Sequence, residues 1–341
     1  SFKDLPLAGV ADVPKAKAAA DPLKAPVVIE ARRGGWKPKS WTQAFWSYEA
    51  GELKHKCYHR YPPVAGDEKE ANGCAKVRID EFTKYVGVLR DADPQCLEEH
   101  GLSYPRFFMG GWCPFQRPGV AQEHWMEDWK SGRQLWAPPG IKDLTHKWVN
   151  MCCAGFSGLD SGMALASFDA VQMGPVGCVT RLHVENSLAH VWYAQIQGRR
   201  AFILFSPQER ENLYPETGWP EQGSEERCEY SPIDVLRPNE RLYPKFKDCK
   251  AQVAVLQPGE TLVIPQGWWH CSIVLEHCVT LARRFWNRAN RSGIADEFRH
   301  FASAEELRKH RMENVFLNHV EGCRKAIAQD DTPDDEDDPR M

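Results

Sequence analysis

Residues 180–185 read Thr180-Arg181-Leu182-His183-Val184-Glu185, and residues 191–196 continue as Val191-Trp192-Tyr193-Ala194-Gln195-Ile196. β-Branched and aromatic side chains dominate both stretches, which favours extended chain. Positions two apart on a strand point to one face, so His183 and Glu185 can reach a common ligand. His270 closes Ile264-Pro265-Gln266-Gly267-Trp268-Trp269-His270, just beyond a strand-like Thr261-Leu262-Val263-Ile264 entered through the turn Pro258-Gly259-Glu260. Two imidazoles and one carboxylate form the donor set that holds a divalent iron on one side and leaves the other side open.

His-x-Glu alone is weak, because the chain has 12 His and repeats the pattern at His319-Val320-Glu321. The second copy lies in a run that reads as helix from Ala304-Glu305-Glu306-Leu307-Arg308-Lys309 onward. Residues two apart on a helix diverge, so that pair cannot chelate one ion and reads as a solvated helix pattern.

The 341-residue chain suits one large domain or two modest ones. No apolar run is long enough to span a membrane, and the start shows no secretory-leader pattern. The 12 Cys are scattered, with one adjacent pair (Cys152-Cys153) and no Cys-x-x-Cys, which argues against a zinc-finger module. Reduced thiols and an intracellular setting, nucleus or cytoplasm, are therefore expected. The last twelve residues, Asp330 to Met341, carry seven acids and one Arg, a formal -6 against -4 for the whole chain, which leaves the rest at +2. A disordered acidic tail follows from that composition. A near-neutral body gives no support for strong nucleic-acid binding.

Residues 1–25 are rich in Ala, Lys and Pro and read as flexible. Pro26 to Ala31 reads as a strand, Trp41 to Leu53 and Val77 to Val86 as helices, and Tyr104 to Met109 as a strand before a Gly-Gly break. From about 147 to 287 short apolar strands alternate with Gly/Pro/Asn turns, the pattern of a barrel or jelly roll. Residues 288–329 are charged and helical, with apolar Leu307, Val315, Phe316, Val320 and Ile327.

The landmarks continue in order. Gln195-Ile196-Gln197-Gly198-Arg199-Arg200-Ala201-Phe202-Ile203-Leu204-Phe205-Ser206-Pro207 follows the ligand pair, then Leu213-Tyr214-Pro215, Ser231-Pro232-Ile233-Asp234, Gln257 to His270, and Phe285-Trp286. With residues 180–185, this series resembles the JmjC-domain family of Fe(II)- and 2-oxoglutarate-dependent oxygenases, in its small hydroxylase form. The resemblance covers most of residues 26–287. It implies a mainly β, cupin-like double-stranded β-helix (jelly roll) with flanking N-terminal α/β elements and C-terminal helices.

The resemblance further implies that His183, Glu185 and His270 hold Fe(II), with 2-oxoglutarate as co-substrate, and that a protein side chain is hydroxylated as 2-oxoglutarate and O2 become succinate and CO2. Two positions depart from the family. Arg200 stands where a Lys usually meets the far carboxylate of 2-oxoglutarate; its planar fork can do the same work. Arg284 replaces a small polar residue before Phe-Trp. Regular alternation puts it on one face with Thr280 and Ala282, as a second clamp or a substrate-binding charge. An acid or ligand is expected between the two arginines.

Thr180 and Tyr193 are further co-substrate candidates, and Trp192, Trp268 and Trp286 either line the substrate pocket or pack the core. Three alternatives stay open: a non-catalytic cupin-like binding module, an N-methyl-lysine/arginine demethylase or RNA-base hydroxylase using the same iron, and a 2-oxoglutarate-independent cupin enzyme drawing on His190 or His277. The C-terminal helices could form a homodimer surface, or pack within one chain.

Overall fold

The computed structural model describes residues 2–20, 23–30, 40–64, 74–100, 106–116, 138–155, 160–218, 228–298 and 311–331. In chain order its strands are β1 (Gly9–Asp12), β2 (Lys15–Ala16), β3 (Val27–Ile29), β4 (Lys54–Tyr58), β5 (Cys74–Arg78), β6 (Met109–Trp112), β7 (Asp169–Gly174), β8 (His190–Gln197), β9 (Arg200–Phe205), β10 (Glu216–Gly218), β11 (Cys228–Tyr230), β12 (Lys250–Leu256), β13 (Thr261–Ile264), β14 (Trp269–Val274) and β15 (Cys278–Phe285). The helices are α1 (Gln43–Glu49), α2 (Ile79–Asp91), α3 (Pro94–Glu99), α4 (Thr145–Ala154), α5 (Ser161–Ala166), α6 (Arg291–Glu297) and α7 (Glu313–Ala328).

A seven-stranded sheet runs β2-β3-β13-β8-β15-β7-β6 and a four-stranded sheet runs β1-β12-β9-β14. Together they form the jelly roll that the turn pattern implies. β8 shows how the layers are made. It is buried along nearly its whole length, as an uninterrupted apolar run requires. Val191 and Tyr193 turn toward Phe202, Leu204 and Leu262 between the sheets. Trp192, Ala194 and Ile196 turn the other way, onto Trp46, Phe82 and Val86 from α1 and α2. A third layer covers the outside of the smaller sheet, where Ile203, Phe205 and Trp269 meet Leu213 and Phe246.

The β8–β9 turn requires Gly198. Its φ is +68°, and a Cβ there would lie 2.2 Å from the His277 carbonyl oxygen. That turn sets Arg200 as the first residue of β9, paired with Leu256 on one side and Val274 on the other.

Several expectations are revised. The amino-terminal stretch expected to be flexible up to residue 25 supplies a strand to each sheet: β1 pairs in parallel with β12 and β2 with β3. Its Ala/Lys/Pro content hid this because an edge strand takes its order from the neighbour's backbone. The helix expected from Val77 begins at Ile79, after β5, where Arg78 accepts no side-chain cap bond but its backbone N–H donates to Glu81. The strand expected over Tyr104–Met109 instead starts at Met109 and runs through both glycines; residues 101–105 lie outside the described residues.

In the carboxy-terminal part, Phe316, Val320, Cys323 and Ile327 of α7 pack on Trp148, Phe168 and Trp286 of the same chain. The helix start at Ala304 to Lys309 and Leu307 lie outside the described residues. Asp330, read as the first residue of a disordered tail, accepts from Trp148 Nε1 at 2.7 Å and pairs with Lys147 Nζ at 2.8 Å. It anchors the end of α7; residues 332–341 lie outside the described residues.

Candidate metal centre

Two ladders bring the three candidate ligands together. Residues 179–183 run beside β14, with Thr180 N donating to Ser272 O and Val274 N to Cys178 O. At the far end His183 and His270 exchange both backbone bonds, at 3.1 and 2.8 Å. They are therefore directly opposite on adjacent strands, with their side chains on one face. Their ring centroids are 4.3 Å apart. Glu185, two residues on and still extended (φ -65°, ψ 138°), turns its carboxylate to the same side.

One donor atom from each of His183, Glu185 and His270 lies within 4.8 Å of the others. Glu185 Oε1 is 3.8 Å from His183 Nε2 and 3.5 Å from His270 Nε2. Metal–ligand bonds of about 2.1 Å place neighbouring donors about 3 Å apart, so small side-chain rotations suffice. Both imidazoles are held in the tautomer that leaves Nε2 as a ligand: Nδ1–H of His183 donates to Arg181 O at 2.8 Å, and His270 Nδ1 faces Trp268 O at 3.4 Å. Burial opposes the charge on Glu185, but the two imidazoles that face it outweigh this and hold its carboxyl well below the usual range. Burial lowers the pKa of His270. The second His-x-Glu behaves as a helix pattern: His319 Nε2 lies 2.7 Å from Cys152 O, and Glu321 pairs with Arg324.

The three ligand candidates stand at a cavity of about 460 Å³, and His183 and Glu185 line it. Tyr193 lines it too, its hydroxyl 3.2 Å from Glu185 Oε1 and 3.0 Å from His270 Nε2. Arg200 sits behind the wall, 2% exposed. Its Nε donates to Ser272 Oγ at 2.9 Å and its Nη1 to Gln172 Oε1 at 2.6 Å. Its guanidinium carbon lies 5.1, 5.6 and 4.8 Å from the ring centres of Phe108, Tyr193 and Phe202. Among the described residues no carboxylate pairs with it, and burial pulls its pKa down. Thr180 belongs to the same network, with Oγ1 2.9 Å from Ser272 Oγ.

Residues 148–292 match the model of a cupin-like domain. The chain is 39% identical over 98 residues to JmjC domain-containing protein D of Dictyostelium discoideum, a stretch covering 29% of this chain and 20% of that protein. It is 30% identical over 159 residues to mouse HSPB1-associated protein 1 (47% and 29%) and 32% identical over 135 residues to Lysine-specific demethylase 8 of Xenopus tropicalis (40% and 27%). Residues 148–292 are a cupin-like domain similar to that of JmjC-domain proteins. The aligned stretches span less than a third of each of these relatives.

The cavity lining and the packing around it sort the remaining candidates. Arg284 does line the cavity, but the acid expected between the two arginines serves Arg284 alone: Glu297 of α6 accepts from Nη1 at 3.0 Å. None of the three tryptophans lines the cavity. Trp192 faces the helices outside the larger sheet. Trp268 packs with Phe202 and Leu204 between the sheets. Trp286 stacks edge-on to Phe168 at 5.0 Å and donates Nε1–H to Ser187 O. These three are core residues, which corrects their placement in a substrate pocket. His190 and His277 stand apart from the ligand cluster: Gln266 N donates to His190 Nδ1 and Val176 N to His277 Nδ1.

The sequence reading missed Gln172, Ser272 and Glu297. Ser272 carried a usable signal, since it lies two residues after His270 on one strand and so shares its face. Gln172 and Glu297 come from β7 and α6, whose approach is a matter of tertiary pairing.

Proposed function

We propose that this chain is an Fe(II)- and 2-oxoglutarate-dependent oxygenase that hydroxylates a side chain of a protein. The observation that carries the reading is a convergent His183–Glu185–His270 set beside a buried guanidinium that no acid among the described residues answers. A cation buried without a counter-charge is costly unless a ligand brings one. The donor set fits a divalent iron, and Arg200 fits the far carboxylate of a dicarboxylate co-substrate.

In this reading His183, Glu185 and His270 hold the metal by Nε2, a carboxylate oxygen and Nε2. When bound, iron with 2-oxoglutarate supplies oxygen activation coupled to decarboxylation of the co-substrate. The protein's own residues set the geometry. Ser272 and Gln172 fix the guanidinium plane of Arg200, and Thr180 locks Ser272. Gln172 Oε1 is the acceptor that a carboxylate oxygen replaces or joins. Tyr193 brings its hydroxyl to the metal-facing edge of Glu185 and His270. The apolar walls, Phe168, Val191 and Ala282, keep bulk water from the reacting groups. Relatives named as a lysine-specific demethylase and an HSPB1-associated protein support a protein as partner, and the free thiols of the described cysteines support a reducing, intracellular setting.

Calorimetry tests this. With Mn(II) in place of iron to prevent turnover, 2-oxoglutarate should bind the wild type, and binding should require the metal. Glu185→Ala and His183→Ala should each abolish metal binding and, with iron, succinate formation, while far-UV circular dichroism stays unchanged. Succinate formation that survives both substitutions refutes the assignment; metal binding without 2-oxoglutarate binding makes the chain a non-catalytic cupin module.

A further inference from the structure

Arg284 and Glu297 form an ion pair whose two ends differ. The Glu297 side chain is 4% exposed and the Arg284 side chain 24%, on the cavity side. The pair is thus a fixed dipole with its positive end toward the cavity. Its geometry is built from several directions. β15 delivers Arg284 at the position paired with Val191. Arg284 N donates to Phe168 O, and the guanidinium carbon lies 5.6 Å from the Phe168 ring centre. α6 brings Glu297 against it, and Gly293 permits the approach, since a Cβ there would lie 1.7 Å from Ser187 O.

Among the described residues lining the cavity, Glu185 is the single carboxylate, and it is a candidate metal ligand. An incoming methylammonium or guanidinium group would meet the positive end of the Arg284–Glu297 pair, and among the described lining residues only Glu185, a candidate metal ligand, could offset it, which is unfavourable in a desolvated site. Of the aromatic rings lining the cavity, Phe168 already meets the guanidinium of Arg284 and Tyr193 that of Arg200, and Tyr61 packs against Phe108. A carboxylate meets the opposite situation: a positioned guanidinium whose charge and planar donors match it.

Resting on the oxygenase reading above, we propose that Arg284, oriented by Glu297, is a specificity-determining residue that selects an acidic side chain, aspartyl or glutamyl, on the substrate protein, and that methylated lysine and arginine are excluded.

The test uses the full chain loaded with Mn(II) and 2-oxoglutarate. The probes are blocked tripeptides, acetyl-Gly-Xaa-Gly-amide, with Asp, Asn or trimethyl-lysine at the centre, read by Mn(II)-enhanced relaxation of the peptide protons. The Asp peptide should show the strongest enhancement, the Asn peptide less, and the trimethyl-lysine peptide none. Arg284→Gln should weaken Asp-peptide binding at least fivefold, and Arg284→Lys should restore part of it. 2-Oxoglutarate affinity, measured by calorimetry before any peptide is added, reads the parent proposal separately: its absence in the wild type sinks both. With the co-substrate bound, an equal or stronger response to trimethyl-lysine, an unchanged Asp response in Arg284→Gln, or no response to any of the peptides overturns the inference.

Discussion

Arg283 and Arg200 are 7% and 2% exposed, yet their surroundings share nothing. Arg283, near the end of β15, donates Nε to Asp143 at 3.0 Å and Nη1 to both oxygens of Asp169 at 2.8 and 2.9 Å. Burial works against its charge, but the two carboxylates outweigh that and push its pKa up. Arg200, between the sheets, has a serine hydroxyl, a carboxamide and three aromatic rings, and burial pulls its pKa down. The first arginine is a joint between strands and the loop holding Asp143. The second has neutral hydrogen-bond partners and, among the described residues, no carboxylate; the proposed co-substrate would supply one. An ion pair closed off from any cavity, as at Arg283, says little about function, whereas a buried cation with no carboxylate among the described residues points to a ligand.

The contrast breaks most readily at Arg283. Arg283→Met takes a bidentate cation from Asp169, 3% exposed, and a hydrogen-bonded one from Asp143. The expected loss is about 3–5 kcal/mol of stability by urea unfolding. A loss below about 1 kcal/mol would show that the pair is not a structural joint.

His190 shows a third way to bury a group that can carry charge. It is fully buried, accepts from Gln266 N on Nδ1, and gives Nε2–H to Asn287 Oδ1. Protonation would break the first bond. Burial takes its pKa from 6.5 down to about 4, against smaller opposing effects from Asn287 and Asp143. Between those values the unfolded chain holds the proton and the folded chain does not. Stability is therefore full above pH 6.5 and falls as pH drops toward 4, by about 3 kcal/mol from this group. His190→Gln should flatten that part of the pH–stability curve. An unchanged slope would mean that other groups carry it.

Arg200 should respond in the opposite sense to Arg283. Arg200→Met removes a buried charge whose partners are neutral, so unfolding free energy should hold or rise slightly. Affinity for 2-oxoglutarate should fall by about 2–3 kcal/mol, a factor of about 10², read by calorimetry with Mn(II). A variant that loses stability but keeps its affinity would reverse the roles of the two arginines.

How far these roles could be read from the chain depends on how local each one is. His183 and Glu185 were legible as a pair because strand alternation puts residues two apart on one face; Arg200 was singled out by the family resemblance alone, at a position that no local pattern marks. His270 was legible because it ends a strand with its own turn signal. The partners were not legible. Gln172 reaches Arg200 from β7, and Glu297 reaches Arg284 from α6, contacts set by strand order and helix docking rather than by any local pattern. β1 and β2 were missed for a related reason: Gly9–Asp12 is extended because β12 is beside it. The tryptophans failed on parity. One residue of offset along β8 separates Tyr193, in the cavity wall, from Trp192, under the helices.

That parity gives the smallest and sharpest test. Trp192 Nε1 is buried with no hydrogen-bond partner, a second unanswered donor a single position from a cavity-lining residue. Unlike Arg200 it is neutral and belongs to an apolar cluster with Trp46 and Trp112, on the opposite face of β8 from the cavity. Trp192→Phe removes the unpaired N–H, a gain of about 1–3 kcal/mol, and loses a comparable amount of ring packing. The net change in stability should lie within about 1 kcal/mol, and 2-oxoglutarate affinity should not move. If affinity fell while stability held, Trp192 would belong to the pocket, and the assignment of the two faces of β8 would have to be exchanged.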